Sequence, residues 1–320
     1  MTMLHAIEEH EQLHTSLHGR DFLSMRDLTR EEILATFDRA IRMKAEPLEF
    51  STALRGQTLA MILDKPSLRT RVSFAVGINQ LGGQALDLSP EISLGRRESL
   101  HDVAKNLERM VQGIIVRTFA HDRLEQLAEH AAIPVINGLT DFSHPCQAMA
   151  DYLTMLELKG RLEGLRVAYV GDGNNVANSL MFGAALLGVH LSVASPAGYE
   201  PASAVLDWVR ARAEATGATC MVTNSADTAV RGADVVYTDV WASMGQEVEA
   251  AERKPVFGPF QVNAGLFALA RPDAIFMHCL PAHRGDEVTD EVIDSPRSVV
   301  FPQAENRLHV EKAILFALMR

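Results

Sequence analysis

The sequence predicts an α/β fold of two domains, each a parallel sheet flanked by helices, with the active site in the cleft between them. Apolar runs without polar alternation, which are typical of strands buried on both faces, alternate with amphipathic helical stretches along the chain. The length of 320 residues exceeds the size at which one core usually stops growing. Polar motifs follow the ends of several predicted strands, where open parallel sheets bind their ligands.

The predicted strands are short apolar segments bounded by turn residues. They are Thr58–Leu63, Gln84–Leu88, Gly113–Phe119, Pro134–Gly138, Arg166–Val170, His190–Ser195, Thr219–Thr223, Val235–Asp239, Ala274–His278 and Val299–Phe301. The predicted helices are Val72–Gly83, Ser99–Met110, Asp122–His130, Pro145–Lys159, Asn178–Leu187, Ser203–Glu214 and, after a loop at 306–309, Val310–Arg320. A division near the helix Pro145–Lys159 predicts one domain at 1–150 and a second at 151–305. The C-terminal helix, about 306–320, is expected to pack back on the first domain.

Composition limits the class of function. A net charge of −11 without an obvious basic face argues against nucleic-acid binding. No apolar run approaches the ~20 residues that span a bilayer, and Met1 to Arg20 lacks the apolar core of a secretory signal. The cysteines Cys146, Cys220 and Cys279 form neither a disulfide framework nor a metal-binding pattern. These features predict a cytoplasmic enzyme with reduced thiols and no metal.

The first motif, Ser67-Leu68-Arg69-Thr70-Arg71, follows the apolar run Leu59–Leu63 and precedes a predicted helix. Ser67 is a good N-cap, so the arginines are expected beside unpaired backbone N–H groups and the positive end of the helix dipole. This predicts an anion site, to which Arg96 and Arg97 are expected to contribute. An ordinary capped, solvated helix start is the alternative.

The second and third motifs offer further hydrogen-bond donors. Arg117 lies near the end of the strand Gly113–Phe119, where it can enter the cleft or pair with a carboxylate. His144 precedes Pro145 at a helix start, and Gln147 lies one turn later on the same side. Together His144 and Gln147 can donate to a carbonyl oxygen on which charge develops, although a lone His there is more often a cap or a packed residue.

The fourth motif, Gly171-Asp172-Gly173-Asn174-Asn175, resembles a dinucleotide fingerprint. The next strand ends at Val193-Ala194-Ser195 without the acidic residue that would hold a ribose, so a nucleotide site is rejected. Asn174 and Asn175 are expected to offer amides to a polar ligand.

The remaining motifs follow later strands. Asp239, at the end of the strand beginning at Val235, can bind an ammonium group or cap a helix, and Ser243-Met244-Gly245 is expected to form a mobile loop. Cys279-Leu280-Pro281 can turn carbonyl oxygens toward an amine, and the Leu280–Pro281 bond can be cis or trans. A nucleophilic role for Cys279 is not favoured, since no triad is evident. Arg307 supplies one more cation.

Together these motifs resemble the transcarbamoylases from about residue 20 to the end, and most closely the ornithine branch of that family. Ser67-Leu68-Arg69-Thr70-Arg71 is similar to the family's S-T-R-T-R loop, and Arg117 and His144-Pro145-Cys146-Gln147 match its next two elements. Asp239-x-x-x-Ser243-Met244-Gly245 and His278-Cys279-Leu280-Pro281 indicate the ornithine branch. Leu68 stands where Thr is usual, which preserves a backbone phosphate contact but not a hydroxyl contact. Ser93 stands where Gln is frequent.

The resemblance implies the site residues. The implied catalytic residues are Arg117, His144 and Cys279. The implied contacts of carbamoyl phosphate are Ser67, Leu68, Arg69, Thr70, Arg117, His144, Gln147, Cys279, Leu280 and Arg307. The implied contacts of ornithine are Asn175, Asp239, Ser243 and Met244.

The resemblance also implies the reaction. Carbamoyl phosphate and L-ornithine are expected to give L-citrulline and phosphate, in arginine biosynthesis or in reverse, with neither cofactor nor metal. A homotrimer or a multiple of trimers is implied, with no nucleic-acid or membrane partner. Putrescine or N-acylated ornithine as the acceptor remains the alternative, and a non-catalytic binding protein is a more distant one.

Overall fold

The computed structural model describes residues 17–65, 67–88, 97–243 and 247–320. The chain divides into two compact units, the first formed by residues 1–150 and 306–320 and the second by residues 151–305. Among the described residues, no helix combines the length and the apolar character that crossing a bilayer would require.

The first unit contains a four-stranded parallel sheet with the strand order β2-β1-β3-β4. Its strands are Thr58–Leu63 (β1), Gln84–Leu88 (β2), Gly113–Arg117 (β3) and Val135–Leu139 (β4). Its helices are Arg30–Ala45 (α1), Leu68–Gln80 (α2), Leu100–Leu107 (α3) and His121–His130 (α4). Val103 and Leu124 of two of these helices share a core cluster with Ile62 and Val116 of the central strands. Helical cover of this kind explains why β3 is buried and apolar almost throughout.

The second unit contains a five-stranded parallel sheet with the order β7-β6-β5-β8-β9. Its strands are Arg166–Val170 (β5), His190–Ala194 (β6), Cys220–Thr223 (β7), Val235–Thr238 (β8) and Ile275–His278 (β9). Its helices are Asn175–Leu187 (α6), Ser203–Thr216 (α7), Ala226–Val230 (α8), Ala250–Phe257 (α9), Ala264–Phe267 (α10) and Asp290–Ile293 (α11), the last of which follows β9. The strand order reverses between β5 and β8, and such switch points form ligand crevices at the carboxyl ends of the strands.

Two helices, Pro145–Lys159 (α5) and Val300–Met319 (α12), contain the positions at which the chain passes from one unit to the other. The predicted fold class, two parallel sheets flanked by helices, is confirmed.

Two predictions near the C-terminus are wrong. Val299–Phe301 is not a strand, because α12 begins at Val300. Val and Phe favour strands, but Pro302 fits the first helical turn, where its missing N–H has no intrahelical partner in any case. Residues 306–309 do not form a loop before a helix at Val310, since they lie within α12. The helical spacing of apolar residues is not visible in that segment, because its buried positions include the polar residues Gln303, Asn306, Arg307, Glu311 and Lys312.

Candidate active site

The anion motif lies at the first turn of α2, as the capping pattern predicted. Ser67 is the N-cap, and its Oγ accepts a hydrogen bond from the backbone N–H of Thr70 at 3.3 Å. The helix therefore begins at Leu68, earlier than the predicted Val72. The Leu68 side chain is exposed, Arg69 is partly buried, and Thr70 is fully buried. No acidic residue lies in this first turn to offset the positive end of the helix.

Of the four arginines expected in this anion site, only Arg69 is placed there by the described residues. Arg71 is half-exposed and forms an ion pair with Asp87, and Arg97 is exposed. Arg96 lies outside the described residues. Alternate positions on a helical turn face different directions, so two arginines separated by one residue do not meet the same ligand.

The Thr70 hydroxyl lies between two buried guanidinium groups. It accepts a hydrogen bond from Nη2 of Arg307 at 3.0 Å and a longer one from Nη1 of Arg117 at 3.4 Å. Arg117 ends β3 and is 6% exposed, whereas Arg307 lies on α12 and is 2% exposed. A hydroxyl has two acceptor lone pairs and one donor. With both lone pairs facing guanidinium groups, its proton is left to be donated to another acceptor.

His144 and Gln147 lie at the start of α5 and are buried. Burial places the pKa of His144 well below its usual range, and the charges of Arg307, Arg117 and Arg69 lower it further. The imidazole is therefore neutral near pH 7 and can donate one N–H while carrying no charge.

Lys65 also belongs to this cation cluster, although it was not among the predicted site residues. Its charge contributes to the low pKa of His144. The residue is buried, and its Nζ lies 4.1 Å from the centroid of the Phe119 ring. Its position two residues before Ser67 is the sequence feature from which this placement could have been predicted.

In the second unit, polar groups that follow three adjacent strands meet around Asp239. Asp239 directly follows β8, and its Oδ1 accepts a hydrogen bond from Sγ of Cys279, which follows β9, at 2.9 Å. Its Oδ2 accepts one from Nδ2 of Asn174, which follows β5, at 2.9 Å. Asn174 Nδ2 also lies 3.4 Å from Ser243 Oγ. Because β5, β8 and β9 are neighbours in the sheet, their carboxyl ends bring these side chains together.

The structure describes some of the predicted ornithine contacts but not all of them. Asn175 is the first residue of α6 and is buried. Asn174, which was expected to offer an amide to a polar ligand but was not among the predicted ornithine contacts, makes the contact with Asp239. Its Oδ1 accepts hydrogen bonds from the hydroxyl of Tyr169 and from the first turn of α6. Met244 lies outside the described residues, as does Ser93 of the first unit.

The backbone at Cys279–Leu280 is held by a buried imidazole and carboxylate. Leu280 has a φ of 57°, and the Leu280–Pro281 bond is cis. The backbone N–H of Leu280 donates to Nδ1 of His278 at 2.8 Å, so the ring proton resides on Nε2. Nε2 lies 3.1 Å from Oε1 of the fully buried Glu287. Glu287 had no signal in the sequence, since it is separated from the motif by a loop.

Asp239, His278 and Cys279 also bring three potential metal-ligand atoms within 4.8 Å of one another. Both ring nitrogens of His278 already have partners, namely the N–H of Leu280 and the carboxylate of Glu287. Binding of a metal by His278 would therefore require one of these contacts to break.

The two units thus offer complementary chemistry. The first presents a helix N-terminus, guanidinium groups and a neutral imidazole, which suit a phosphate and a carbonyl oxygen. The second presents a buried carboxylate next to a thiol, which suits an ammonium group.

Comparison with known proteins agrees with this chemistry. Residues 20–157 match a family model described as aspartate/ornithine carbamoyltransferase, carbamoyl-P binding domain. Residues 163–318 match the corresponding Asp/Orn binding domain.

The similarity to individual proteins covers almost the whole chain. The ornithine carbamoyltransferase of Anoxybacillus flavithermus is 55% identical over 306 residues, which cover 95% of this chain and 98% of that protein. The Thermococcus kodakarensis protein of the same name is 55% identical over 310 residues, with the same coverage. The solved ornithine carbamoyltransferase of Pyrococcus furiosus has a TM-score of 0.92 and 53% identity, covering 95% of this chain and 98% of that one. With both family models matched in sequence order, the chain belongs to the aspartate/ornithine carbamoyltransferase family.

Proposed function

We propose that this chain is an ornithine carbamoyltransferase, which converts carbamoyl phosphate and L-ornithine to L-citrulline and phosphate. The observation that carries the proposal is the buried Thr70 hydroxyl between the guanidinium groups of Arg117 and Arg307, beside the α2 N-terminus. Two buried arginines with a helix N-terminus suit a doubly charged phosphate ester. The ornithine name shared by the relatives reported above supports ornithine as the acceptor.

Residues 1–150 and 306–320 form the carbamoyl phosphate-binding domain in this proposal. The phosphate is bound by Ser67, the backbone N–H of Leu68, Arg69 and Thr70. The carbamoyl group is oriented by Arg117, His144, Gln147 and Arg307. The match of residues 20–157 to a carbamoyl phosphate-binding domain supports this division of roles.

Residues 151–305 form the ornithine-binding domain. Asp239 binds the α-ammonium group of ornithine, and Asn175, Ser243 and Met244 complete the contacts with its amino-acid end. Cys279 and the carbonyl oxygen of Leu280 lie near the δ-amine. The hydrogen bonds from Asn174 and Cys279 to Asp239 support a fixed orientation of that carboxylate.

In the reaction, the neutral δ-amine attacks the carbamoyl carbon and forms a C–N bond. The resulting negative charge on the carbamoyl oxygen is stabilised by Arg117, His144 and Thr70, and a donor of this kind typically contributes roughly 10²–10³ in rate. The C–O bond to phosphate then breaks, and phosphate leaves with the proton released by the amine. Because a free alkyl amine such as that of Lys has a pKa of about 10.4, activity is expected to rise from mildly acidic to alkaline pH. A flat profile would contradict amine deprotonation as a required step.

We further propose that the chain is a cytoplasmic homotrimer or a multiple of trimers. Leu68, Val72 and Val76 lie on one face of α2 and are 75%, 50% and 37% exposed. An exposed apolar stripe of this kind favours association between copies of a chain. Cys146, Cys220 and Cys279, all three among the described residues, form no disulfide, which suits a reducing compartment. Light scattering of the purified chain tests the trimer.

The enzyme assay uses the purified chain, carbamoyl phosphate and each of three acceptors: L-ornithine, putrescine and N-acetyl-L-ornithine. We expect kcat/KM for ornithine to exceed the other two by roughly 10²-fold or more, because N-acetyl-L-ornithine lacks the ammonium partner of Asp239 and putrescine lacks the α-carboxylate. Equal rates with putrescine would contradict the proposal.

Variants connect this activity to the cation cluster. Arg69→Ala is expected to abolish turnover without unfolding the chain. Arg123→Ala, which removes an exposed arginine of α4, is the matched control. Wild-type activity of Arg69→Ala would remove Arg69 from the phosphate site.

A further inference from the structure

Arg307 is held by a buried carboxylate one helical turn further along α12. Oε1 of Glu311 accepts hydrogen bonds from Nη2 of Arg307 at 2.8 Å and from Nε at 3.2 Å. Arg307 is 2% exposed and Glu311 is 0% exposed. A buried ion pair of this kind often contributes little to stability compared with apolar residues of similar volume. Its presence beside a proposed substrate-binding group therefore suggests a role other than stability.

The geometry of the pair fixes the plane of the guanidinium group. Nη2 donates both to Glu311 and to Thr70, the latter at 3.0 Å, so the group is anchored to two different helices. Glu311 and Thr70 together engage Nε and Nη2, and two anchors on a rigid planar group determine the direction of its remaining edge. Thr70 also lies 3.4 Å from Nη1 of Arg117, so both arginines face the same hydroxyl.

Glu311 is also electrostatically part of the cluster. Burial raises its pKa, whereas the charge of Arg307 and a hydrogen bond with Ser73 lower it. Burial raises the pKa of the Cys146 thiol, at the start of α5, well above its usual range, and the charge of Glu311 raises it further whereas that of Arg307 lowers it.

We propose that Glu311 is a positioning residue that holds the Arg307 guanidinium in the orientation required for stabilising the carbamoyl group during transfer. The inference rests on the proposed function, because that function assigns Arg307 to the carbamoyl group. Glu311 itself touches no substrate in this scheme. Its effect is exerted through Arg307.

A rival role for Glu311 gives opposite results. If its charge only offset an excess of cations, removing the charge would tighten phosphate binding and leave kcat unchanged. If it positions Arg307, removing the charge lowers kcat, because the interaction with developing charge is lost. Phosphate affinity then changes little, since the phosphate is bound mainly by Arg69 and the α2 N-terminus.

The experiment compares Glu311→Gln with wild type in the full-length chain. We expect kcat to fall about 10-fold or more, since charge-assisted hydrogen bonds are roughly twice as strong as neutral ones and a misplacement near 1 Å can cost about 10²-fold. KM for ornithine and inhibition by inorganic phosphate should each change less than about threefold. Glu32→Gln is the matched control, because Glu32 is also a buried carboxylate that pairs with an arginine in the same unit, although that arginine, Arg20, is exposed. It should retain wild-type kcat.

A double-mutant cycle shows whether the effect acts through Arg307. In an Arg307→Ala background, Glu311→Gln should change kcat by less than about twofold, because residues that act as one unit are not additive. An equal loss in both backgrounds would overturn the proposal. If Glu311→Gln does not fold, Glu311→Asp takes its place, since it keeps the charge but withdraws it by one methylene, and it too should lower kcat.

The outcomes separate this inference from the proposed function. Citrulline formation by wild type together with unchanged kcat in the Glu311 variants would overturn the inference alone. Tighter phosphate binding with unchanged kcat would also overturn it. A wild-type chain that forms no citrulline would overturn both.

Discussion

Replacing Thr70 by valine tests the centre of the proposed carbamoyl phosphate site. The change removes one hydroxyl and leaves a side chain of nearly the same shape in a fully buried position. It deletes the acceptor of the hydrogen bonds from Arg307 at 3.0 Å and Arg117 at 3.4 Å. It also deletes the proton that the hydroxyl is left to donate to the carbamoyl oxygen.

The two contacts set the expected magnitudes. The Arg307 bond has normal length, and a hydrogen bond to a charged group contributes about 1.5–3 kcal/mol to stability. The Arg117 bond is long and adds little. The free energy of unfolding should therefore fall by about 2–3 kcal/mol. The lost donor should lower kcat by roughly 10²–10³, which corresponds to about 3–4 kcal/mol of transition-state stabilisation.

Initial rates of citrulline formation at saturating substrate give kcat, and urea unfolding gives the stability. Thr70→Ser keeps the hydroxyl and should retain most of the rate. Thr36→Val is the matched control, since Thr36 is a buried threonine of α1 whose hydroxyl donates to a backbone carbonyl at 2.8 Å. It should lose stability but not kcat. A Thr70→Val enzyme within about threefold of wild-type kcat would refute the assignment of Thr70 to the transition state.

Three further predictions concern the second unit. Burial raises the pKa of Asp172 to about 6 from 3.8, although Arg253 lowers it in part. The carboxyl group of the folded chain therefore binds its proton more tightly than that of the unfolded chain. The free energy of unfolding accordingly falls as the pH rises from 3.8 to about 6. Urea unfolding should show that wild type loses about 2 kcal/mol relative to Asp172→Asn between pH 4 and pH 7, and equal pH dependence would contradict this. Asp239→Asn removes the carboxylate charge that is proposed to bind the ammonium group of ornithine. Steady-state kinetics should show that KM for ornithine rises roughly 10- to 100-fold while KM for carbamoyl phosphate stays within about threefold. Equal changes in both KM values would mean that Asp239 has a structural role. Gly183→Ala would place a methyl group against the buried Tyr152 ring, which is held by a hydrogen bond from its hydroxyl to the carbonyl of Leu180. The change should lower the free energy of unfolding by about 1–3 kcal/mol. An unchanged midpoint of thermal unfolding would mean that the ring moves aside without cost.

Much of the first unit's site was predictable because its chemistry is encoded in short segments. Ser67 and the apolar strand before it located the helix N-terminus, and Arg117 lies at the end of its strand as expected. Arg71 could not be assigned in this way, because its ion pair with Asp87 depends on how β2 is placed beside β1. Sequence proximity brought both arginines to the same turn but could not determine which faced inward.

Contacts between distant residues were not predictable. Glu311 is separated from Thr70 by most of the chain, and the segment that carries it shows no apolar period, because polar side chains occupy its buried face. The pair of His278 and Glu287 likewise joins a strand end to the far side of a loop. Local propensity contains no information on such partners, since burial and tertiary contact decide them.

The arrangement of β5, β8 and β9 bears on how acceptor choice can diverge. Each strand is followed by its own connecting segment with a polar group, and Asn174, Asp239 and Cys279 meet at one edge of the sheet. Exchange of one segment would leave the hydrogen-bonded ladder beneath it intact. A duplicated copy of such a gene could therefore acquire a new amine substrate through few substitutions at this edge of the sheet, with little loss of fold stability.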